Sequence, residues 1–197
     1  MDIFAAAGLK NPDISILSEE FLAEVHGMPH RNLAVELLQK LLRDELKGRK
    51  KRSLVQSRAF SELLDASLRR YQNRAIEAAQ VIEELIQLAR EMRVANERGD
   101  DLGLQEDELA FYDALEVNDS AVKVLGDEVL KAIARDLVEA VRNSATIDWT
   151  VKESVRAKMR VMVRRILRKH GYPPDKQEKA SQTVLEQAEL LAAEWAA

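Results

Sequence analysis

The sequence predicts an all-α protein, a multi-helix bundle without a sheet. Glycine and proline together make up 11 of the 197 residues, about half their usual share. All four prolines lie near the ends of the chain, so the 143 residues between Pro29 and Pro173 contain none. Strands require turns, and turns are rich in these two residue types. Long stretches of the chain also repeat apolar residues at helical spacing.

Length and composition limit the class of protein. We expect a flexible lead-in over residues 1–14 and a single helical domain over residues 15–197. The chain has no cysteine, which excludes disulfides and thiolate metal sites and favours a reducing, cytoplasmic location. No run of about 18 apolar residues exists, so we expect no membrane partner. The net charge of −4 excludes little, and the distribution of charge is more informative.

The first third of the chain predicts two short helices and then a long one. Ser18 begins a helix that Gly27 ends, and Asn32 begins a second helix that reaches about Gly48. A basic cluster over residues 47–52 is either a solvated connection or a phosphate contact. Residues 49–98 then contain neither glycine nor proline. Apolar residues follow a 4-3-4-3 rhythm there, which predicts one long helix over about 54–97, with a bend near Gln72.

An acidic stretch over residues 100–119 follows the predicted long helix. It contains eight carboxylates and no basic residue, and an amphipathic segment over 106–115 predicts a short helix inside it. The stretch has three interpretations: a solvated face, a metal cluster, or a docking surface for a basic partner or for a basic helix of the same chain. The metal cluster is disfavoured because the carboxylates lack the spacing of a glycine-containing calcium loop. Further helices are predicted over 128–143 and about 175–194.

The element around which we expect the rest to pack is a basic helix over residues 148–170. Asp148 is suited to an N-cap, and Gly171 followed by two prolines is a stop signal. Apolar residues at helical spacing form one stripe, and arginines four residues apart form a different face. The predicted apolar stripe consists of Val155, Met159, Met162 and Ile166. The candidate contacts with a partner or with DNA are Arg156, Arg160, Arg164, Arg165, Arg168 and Lys169.

Two interpretations of this basic face remain open. In one, the arginines pair with carboxylates of the same chain, where exposed ion pairs contribute about 0–1 kcal/mol each. In the other, the arginines contact an anionic partner, such as the phosphates of duplex DNA, with release of counterions. No aromatic residues alternate with the arginines, which disfavours stacking on single-stranded bases.

The sequence offers no catalytic, cofactor-binding or metal-binding motif. None of the glycines begins a phosphate loop, and neither a dinucleotide fingerprint nor a zinc-protease motif occurs. Pro12-Asp13 followed by Glu45 and Lys47 imitates the spacing of magnesium-dependent nucleases. However, residues i and i+2 of a helix do not share a face, so Glu45 and Lys47 cannot converge on one metal. We therefore expect no cofactor and no catalytic residue in this chain.

Two blocks of the sequence together carry a family resemblance. One covers residues 102–115 (LGLQEDELAFYDAL), and the other runs from Ile147-Asp148-Trp149 through residues 155–159 (VRAKM) to 169–174 (KHGYPP). With Phe21-Leu22 and residues 71–74 (YQNR), they resemble the C-terminal helical region of the restriction subunit of type I restriction–modification enzymes. The resemblance extends from about Ile14 to Leu191.

The resemblance implies that the chain is a fragment of a larger subunit. It implies a parent that is an ATP-driven translocase and endonuclease acting on duplex DNA, with nuclease and motor domains preceding this region. ATP and magnesium then belong to the parent rather than to this chain. The implied function is an assembly module that docks the motor to the methyltransferase and specificity subunits. The alternative is a helical module that binds the duplex DNA backbone along the translocation path.

Overall fold

The computed structural model describes residues 18–144, 153–173 and 177–195. Within these ranges the secondary structure is helix and connecting turn, with no strand, so the predicted all-α fold class is confirmed. None of the helices in these ranges is long and apolar enough to cross a membrane. The predicted lead-in and the Asp148 cap lie outside the described residues. In chain order the helices are α1 Glu19–His26, α2 Arg31–Lys50, α3 Leu54–Gln72, α4 Ala78–Leu102, α5 Glu106–Glu116, α6 Asp119–Leu125, α7 Asp127–Ser144, α8 Glu153–Lys169 and α9 Gln177–Trp195.

The described chain forms two compact units, each with its own hydrophobic core. Unit 1 contains the described residues up to Gly48 together with Ser57–Arg98. Unit 2 contains Arg49–Gln56 and the described residues from Gly99 onward. The prediction of a single domain over residues 15–197 stays a prediction.

Unit 1 packs α1 and the hairpin of α3 and α4 against the leucine-rich side of α2. Its core includes Leu37, Leu64 and Leu85, all fully buried. Ser18 caps α1 by accepting a hydrogen bond from the Phe21 amide, as the sequence predicts.

Ion pairs on the surface of unit 1 show how α1 lies on α4. Glu19 accepts hydrogen bonds from Arg90 (3.0 Å) and Arg93 (2.7 Å), and these bonds lower the pKa of Glu19. At the other end of α1, His26 lies 2.6 Å from Glu83. Because the first residue of α1 meets the later part of α4, and its last residue the earlier part, the two helices run antiparallel.

The prediction of one long helix over 54–97 is wrong. The helix ends at Gln72, and a second helix begins at Ala78 and continues past Gly99 to Leu102. Arg70 donates a hydrogen bond to Glu84 at 2.7 Å, although in a continuous helix residues 14 positions apart lie about 21 Å apart. The apolar residues of α3 and those of α4 face the same core. A helical hairpin therefore has the same spacing of apolar residues as one straight helix. The sequence rhythm therefore does not distinguish them.

The turn between α3 and α4 ends α3 with a Schellman motif, which satisfies the last helical carbonyls. The Ala75 amide donates to the Arg70 carbonyl at 2.9 Å, and the Arg74 amide donates to the Tyr71 carbonyl at 3.0 Å. This motif places Arg74 in the left-handed region, with φ of 57°, where glycine is the usual residue. Because no glycine stands at this position, the sequence has no recognisable helix stop signal here.

Unit 2 is built around α5, which packs between α7 and α9. Phe111 and Tyr112 of α5 are fully buried, and the Tyr112 hydroxyl donates to Asp127 at the start of α7 (3.1 Å). Gln187 of α9 is also fully buried. Its side chain accepts a hydrogen bond from the Leu54 amide (2.9 Å) and donates one to the Arg52 carbonyl (2.8 Å). These two bonds attach the segment Arg49–Gln56 to α9.

Substitutions at two glycines test the backbone conformation at a helix end and inside a helix. Gly171 has φ of 71°, so Gly171→Ala forces a side chain into the left-handed region and is expected to lower the free energy of unfolding by about 1 kcal/mol. Gly48 lies inside α2, and a methyl group added there meets nothing within 4 Å. Gly48→Ala is therefore expected to raise the free energy of unfolding by about 0.5–1 kcal/mol. Urea titration followed by circular dichroism measures both changes, and equal effects of the two substitutions would contradict the assignment.

Candidate interaction surface

The basic helix α8 is held in unit 2 by one apolar stripe. Met159, Val163 and Leu167 are buried at i, i+4 and i+8 and belong to the core that α5, α7 and α9 form. Burying a side chain of this size contributes about 1.5–3 kcal/mol. The predicted stripe is partly correct: Met159 is buried, whereas the other three residues are half-buried at its border. Those three residues are Val155, Met162 and Ile166.

The C-terminal end of α8 is fixed by a second Schellman motif. The Tyr172 amide donates to the Leu167 carbonyl at 2.9 Å, and the Gly171 amide donates to the Arg168 carbonyl at 3.1 Å. The buried Tyr172 hydroxyl donates to the Leu115 carbonyl of α5 at 2.9 Å, and burial raises the pKa of Tyr172. This bond joins the two sequence blocks that carry the family resemblance, because Leu115 ends one block and Tyr172 lies near the end of the other.

Asp136 of α7 anchors the last turn of α8 from the side. Its Oδ2 atom lies 2.9 Å from the Lys169 ammonium and 2.8 Å from Nε2 of His170. The hydrogen bonds from His170 and Lys169 lower the pKa of Asp136. Lys169 was predicted as a contact with a partner or with DNA. The structure also gives it an intramolecular partner, Asp136. Sequence reasoning missed Asp136, because its partners lie 33 and 34 residues further along the chain.

The remaining candidate residues divide by exposure. Arg156 is partly covered and lies 3.9 Å from Glu189 of α9, which matches the intramolecular interpretation. The other four arginines of the set are exposed and form no ion pair with any residue in the described ranges. These four, which we call the arginine face, are Arg160, Arg164, Arg165 and Arg168.

An exposed apolar side chain lies beside the arginine face. Val161 is 68% exposed, and residues three and four positions apart on a helix are surface neighbours. Val161 therefore borders Arg164 and Arg165 on the following turn and the exposed Ala157 on the preceding turn. Sequence reasoning missed this valine, although its position opposite the buried stripe is a signal of exposure.

Carboxylates of the acidic stretch over residues 100–119 pair with other segments of unit 2. Asp107 lies 3.1 Å from Arg142, and Glu106 lies 2.8 Å from Arg52. Burial raises the pKa of Asp107 despite the opposing effect of Arg142. The four arginines of the arginine face form no ion pair with this stretch in the described ranges, and no group of potential metal ligands occurs there. The carboxylates of this stretch therefore do not neutralise the arginine face in the described structure.

The basic cluster over residues 47–52 is also partly used within the fold. Lys47 pairs with Asp44 at 2.7 Å. Arg49 is buried and donates to the Gln56 side chain (2.6 Å), which in turn donates to the buried carboxylate of Asp113 (2.6 Å). This chain of polar contacts gives Arg49 a structural role in unit 2.

The geometry defines an all-α module that presents a rigid arginine surface. The chain belongs to the family described as type I restriction enzyme HindI endonuclease subunit-like, C-terminal, which matches residues 1–194. The family resemblance inferred from the two sequence blocks is therefore confirmed.

Two relatives show the extent of the similarity. The chain is 41% identical over 192 residues to the type I restriction enzyme HindI endonuclease subunit of Haemophilus influenzae, and the match covers 98% of this chain. It is 32% identical over 172 residues to a putative type I restriction enzyme MjaIXP endonuclease subunit of Methanocaldococcus jannaschii, a match that covers 87% of this chain. The matches span only 18% and 16% of the lengths of these relatives. No solved structure matches the chain.

The anchor at Asp136 predicts a pH-dependent contribution to stability. Because the pKa of Asp136 is lowered by folding, its contribution is present above the ordinary aspartate pKa of about 3.9. The contribution is lost as the pH falls through the lower pKa of the folded state. Asp136→Asn is expected to cost up to about 1 kcal/mol at pH 7, since its partner Lys169 is largely exposed. Urea titration at pH 7 and near pH 3 measures the difference from wild type, and a cost that persists unchanged at low pH would contradict this role.

Proposed function

We propose that this chain is the assembly module of a type I restriction enzyme endonuclease subunit, and that the arginine face of α8 docks it onto the methyltransferase–specificity core. Membership of the C-terminal family supports the assignment to the subunit. The single observation that carries the docking surface is the set of four exposed arginines without an ion pair in the described ranges.

The way α8 is held supports a preformed binding surface. The helix is fixed by Met159, Val163 and Leu167 on its buried side and by the Tyr172–Leu115 hydrogen bond beyond its end. A helix fixed in this way presents its exposed side chains without an ordering cost for the backbone on binding. Arginine is enriched in protein–protein interfaces, where its guanidinium group pairs with carboxylates in two-point geometry.

The exposed Val161 favours a protein partner over duplex DNA. Protein interfaces combine apolar and charged side chains, and the exposed Val161 beside Arg164 and Arg165 has this combination. Contacts with the DNA backbone consist of hydrogen bonds and charge, and an exposed valine contributes nothing to them. DNA binding by the same face is the alternative function, and the experiments below distinguish the two.

The proposal places the energy-consuming chemistry elsewhere in the parent subunit. The chain spans less than a fifth of the relatives it matches, and its sequence contains no nucleotide-binding or nuclease motif. We assign ATP, magnesium and DNA cleavage to the other regions of that subunit. We assign the assembled enzyme to the cytoplasm, in keeping with a chain that lacks cysteine.

Charge reversal on α8 tests the docking surface. The triple substitution Arg160→Glu, Arg164→Glu and Arg168→Glu is expected to prevent co-purification with the methyltransferase and specificity subunits, because like charges across an interface repel. The matched control is Lys50→Glu, Lys51→Glu and Lys123→Glu, which changes the charge equally at exposed positions of unit 2 and should leave co-purification intact. Normal co-purification of the folded α8 variant, together with a loss of DNA binding, would overturn docking in favour of the DNA alternative.

The substitution Val161→Ser tests the exposed apolar side chain beside the arginine face. It removes exposed apolar surface without changing charge, and it is expected to weaken the complex with the methyltransferase–specificity core by about three- to tenfold, corresponding to about 0.7–1.4 kcal/mol. Stability of the free chain should change by less than about 0.5 kcal/mol. Titration calorimetry measures the affinity, and Val124→Ser is the control, because Val124 is equally exposed on α6. Equal effects of the two substitutions would contradict a central role for Val161.

A further inference from the structure

Two neighbouring rows of exposed side chains run along α8. Side chains four positions apart on a helix form ridges, and a ridge of a second helix packs into the groove between two such ridges. The two rows are neighbours because Val161 of one lies three positions before Arg164 of the other. We call the space between them the α8 groove. The first row is Arg160, Arg164 and Arg168, and the second row is Ala157, Val161 and Arg165, all of them exposed.

The side chains of the second row permit close contact with another helix. Ala157 is small, and Val161 is apolar and largely exposed. The axes of helices that pack ridge into groove lie about 8–10 Å apart, and small or branched side chains at the contact allow this distance. The α8 groove therefore has apolar surface on one side and a row of guanidinium groups on the other.

Carboxylates of neighbouring helices already pair with the cations at the two ends of these rows. Arg156, one turn before the first row, lies 3.9 Å from Glu189 of α9. Lys169, one turn after the second row, lies 2.9 Å from Asp136 of α7. The arginines between these two ends form no ion pair in the part of the chain that the structure describes. Carboxylates on a helix of another protein are the matching chemistry for them.

We propose that the partner segment docked on α8 is an acidic helix with carboxylates four residues apart, which lies in the α8 groove and pairs with the first row. This partner rests on the proposed docking function, to which it adds a chemical class. Arg160 and Arg168 are separated by about 12 Å along the helix axis, and carboxylates at positions i, i+4 and i+8 of a second helix span the same length. Ridges of this kind pack with the two helices crossing at about −50°. Because a single exposed ion pair contributes little, the match of the whole row, with Val161 against an apolar side chain, selects the partner.

Two designed peptides test this proposal with the full chain. Both are alanine-based helices of identical composition that contain glutamates and one leucine, and circular dichroism verifies their helicity. In the first peptide the glutamates are four residues apart and the leucine lies on the adjacent row, whereas in the second the glutamates are spread around the helix. The first peptide is expected to bind about three- to tenfold more tightly in fluorescence anisotropy. It should also shift the guanidinium NMR resonances of Arg160, Arg164 and Arg168.

Arg164→Lys separates paired geometry from charge alone. Lysine keeps the positive charge but lacks the planar group that binds a carboxylate at two points. The substitution is therefore expected to weaken binding of the first peptide by about threefold. The matched control is Arg69→Lys, at an exposed position of unit 1, which should leave the affinity unchanged.

Each outcome supports or overturns the proposal. Tighter binding of the first peptide, weakened by Arg164→Lys but not by Arg69→Lys, supports it. Equal binding of the two peptides overturns it, and so do arginine resonances that shift with a duplex DNA fragment but with neither peptide. If the peptides bind equally while the charge reversal on α8 still prevents co-purification, docking stands and the acidic helix is wrong. Normal co-purification of the charge-reversed variant overturns both.

Discussion

Burial of one side of α8 is the constraint on which the interaction surface depends. Met159, Val163 and Leu167 enter the core of unit 2, and each contributes more than an exposed ion pair contributes. The orientation of the helix is therefore decided by apolar contacts. The arginines on the other side of the helix are therefore directed toward solvent. Arg156 and Lys169 have intramolecular partners, so they are not part of the exposed arginine face.

Two features of unit 2 bear on whether carboxylates of the same chain pair with the arginines of α8. Two carboxylates of the stretch over residues 100–119, Glu106 and Asp107, pair with Arg52 and Arg142 rather than with α8. The hydrogen bond between Tyr172 and the Leu115 carbonyl then fixes the end of α8 against α5.

The chemistry of the exposed side of α8 supports a protein partner. On α8 the exposed Val161 lies beside Arg164 and Arg165, a combination of apolar and charged side chains that protein interfaces use. The cations at the two ends of this side, Arg156 and Lys169, pair with carboxylates of neighbouring helices.

Local sequence alone determined the helical fold class, the capping by Ser18 and Gly171, the arginine spacing on α8 and the family. These features depend on residues near one another in the chain, or on short blocks of sequence. Tertiary structure alone decided that the apolar rhythm over 54–97 folds back at Arg74, that Asp136 anchors Lys169 and His170, and that Tyr172 meets Leu115. The reason is physical: a helical period specifies which face is buried, but not against which helix, and ion pairs between distant segments exist only once those faces have met.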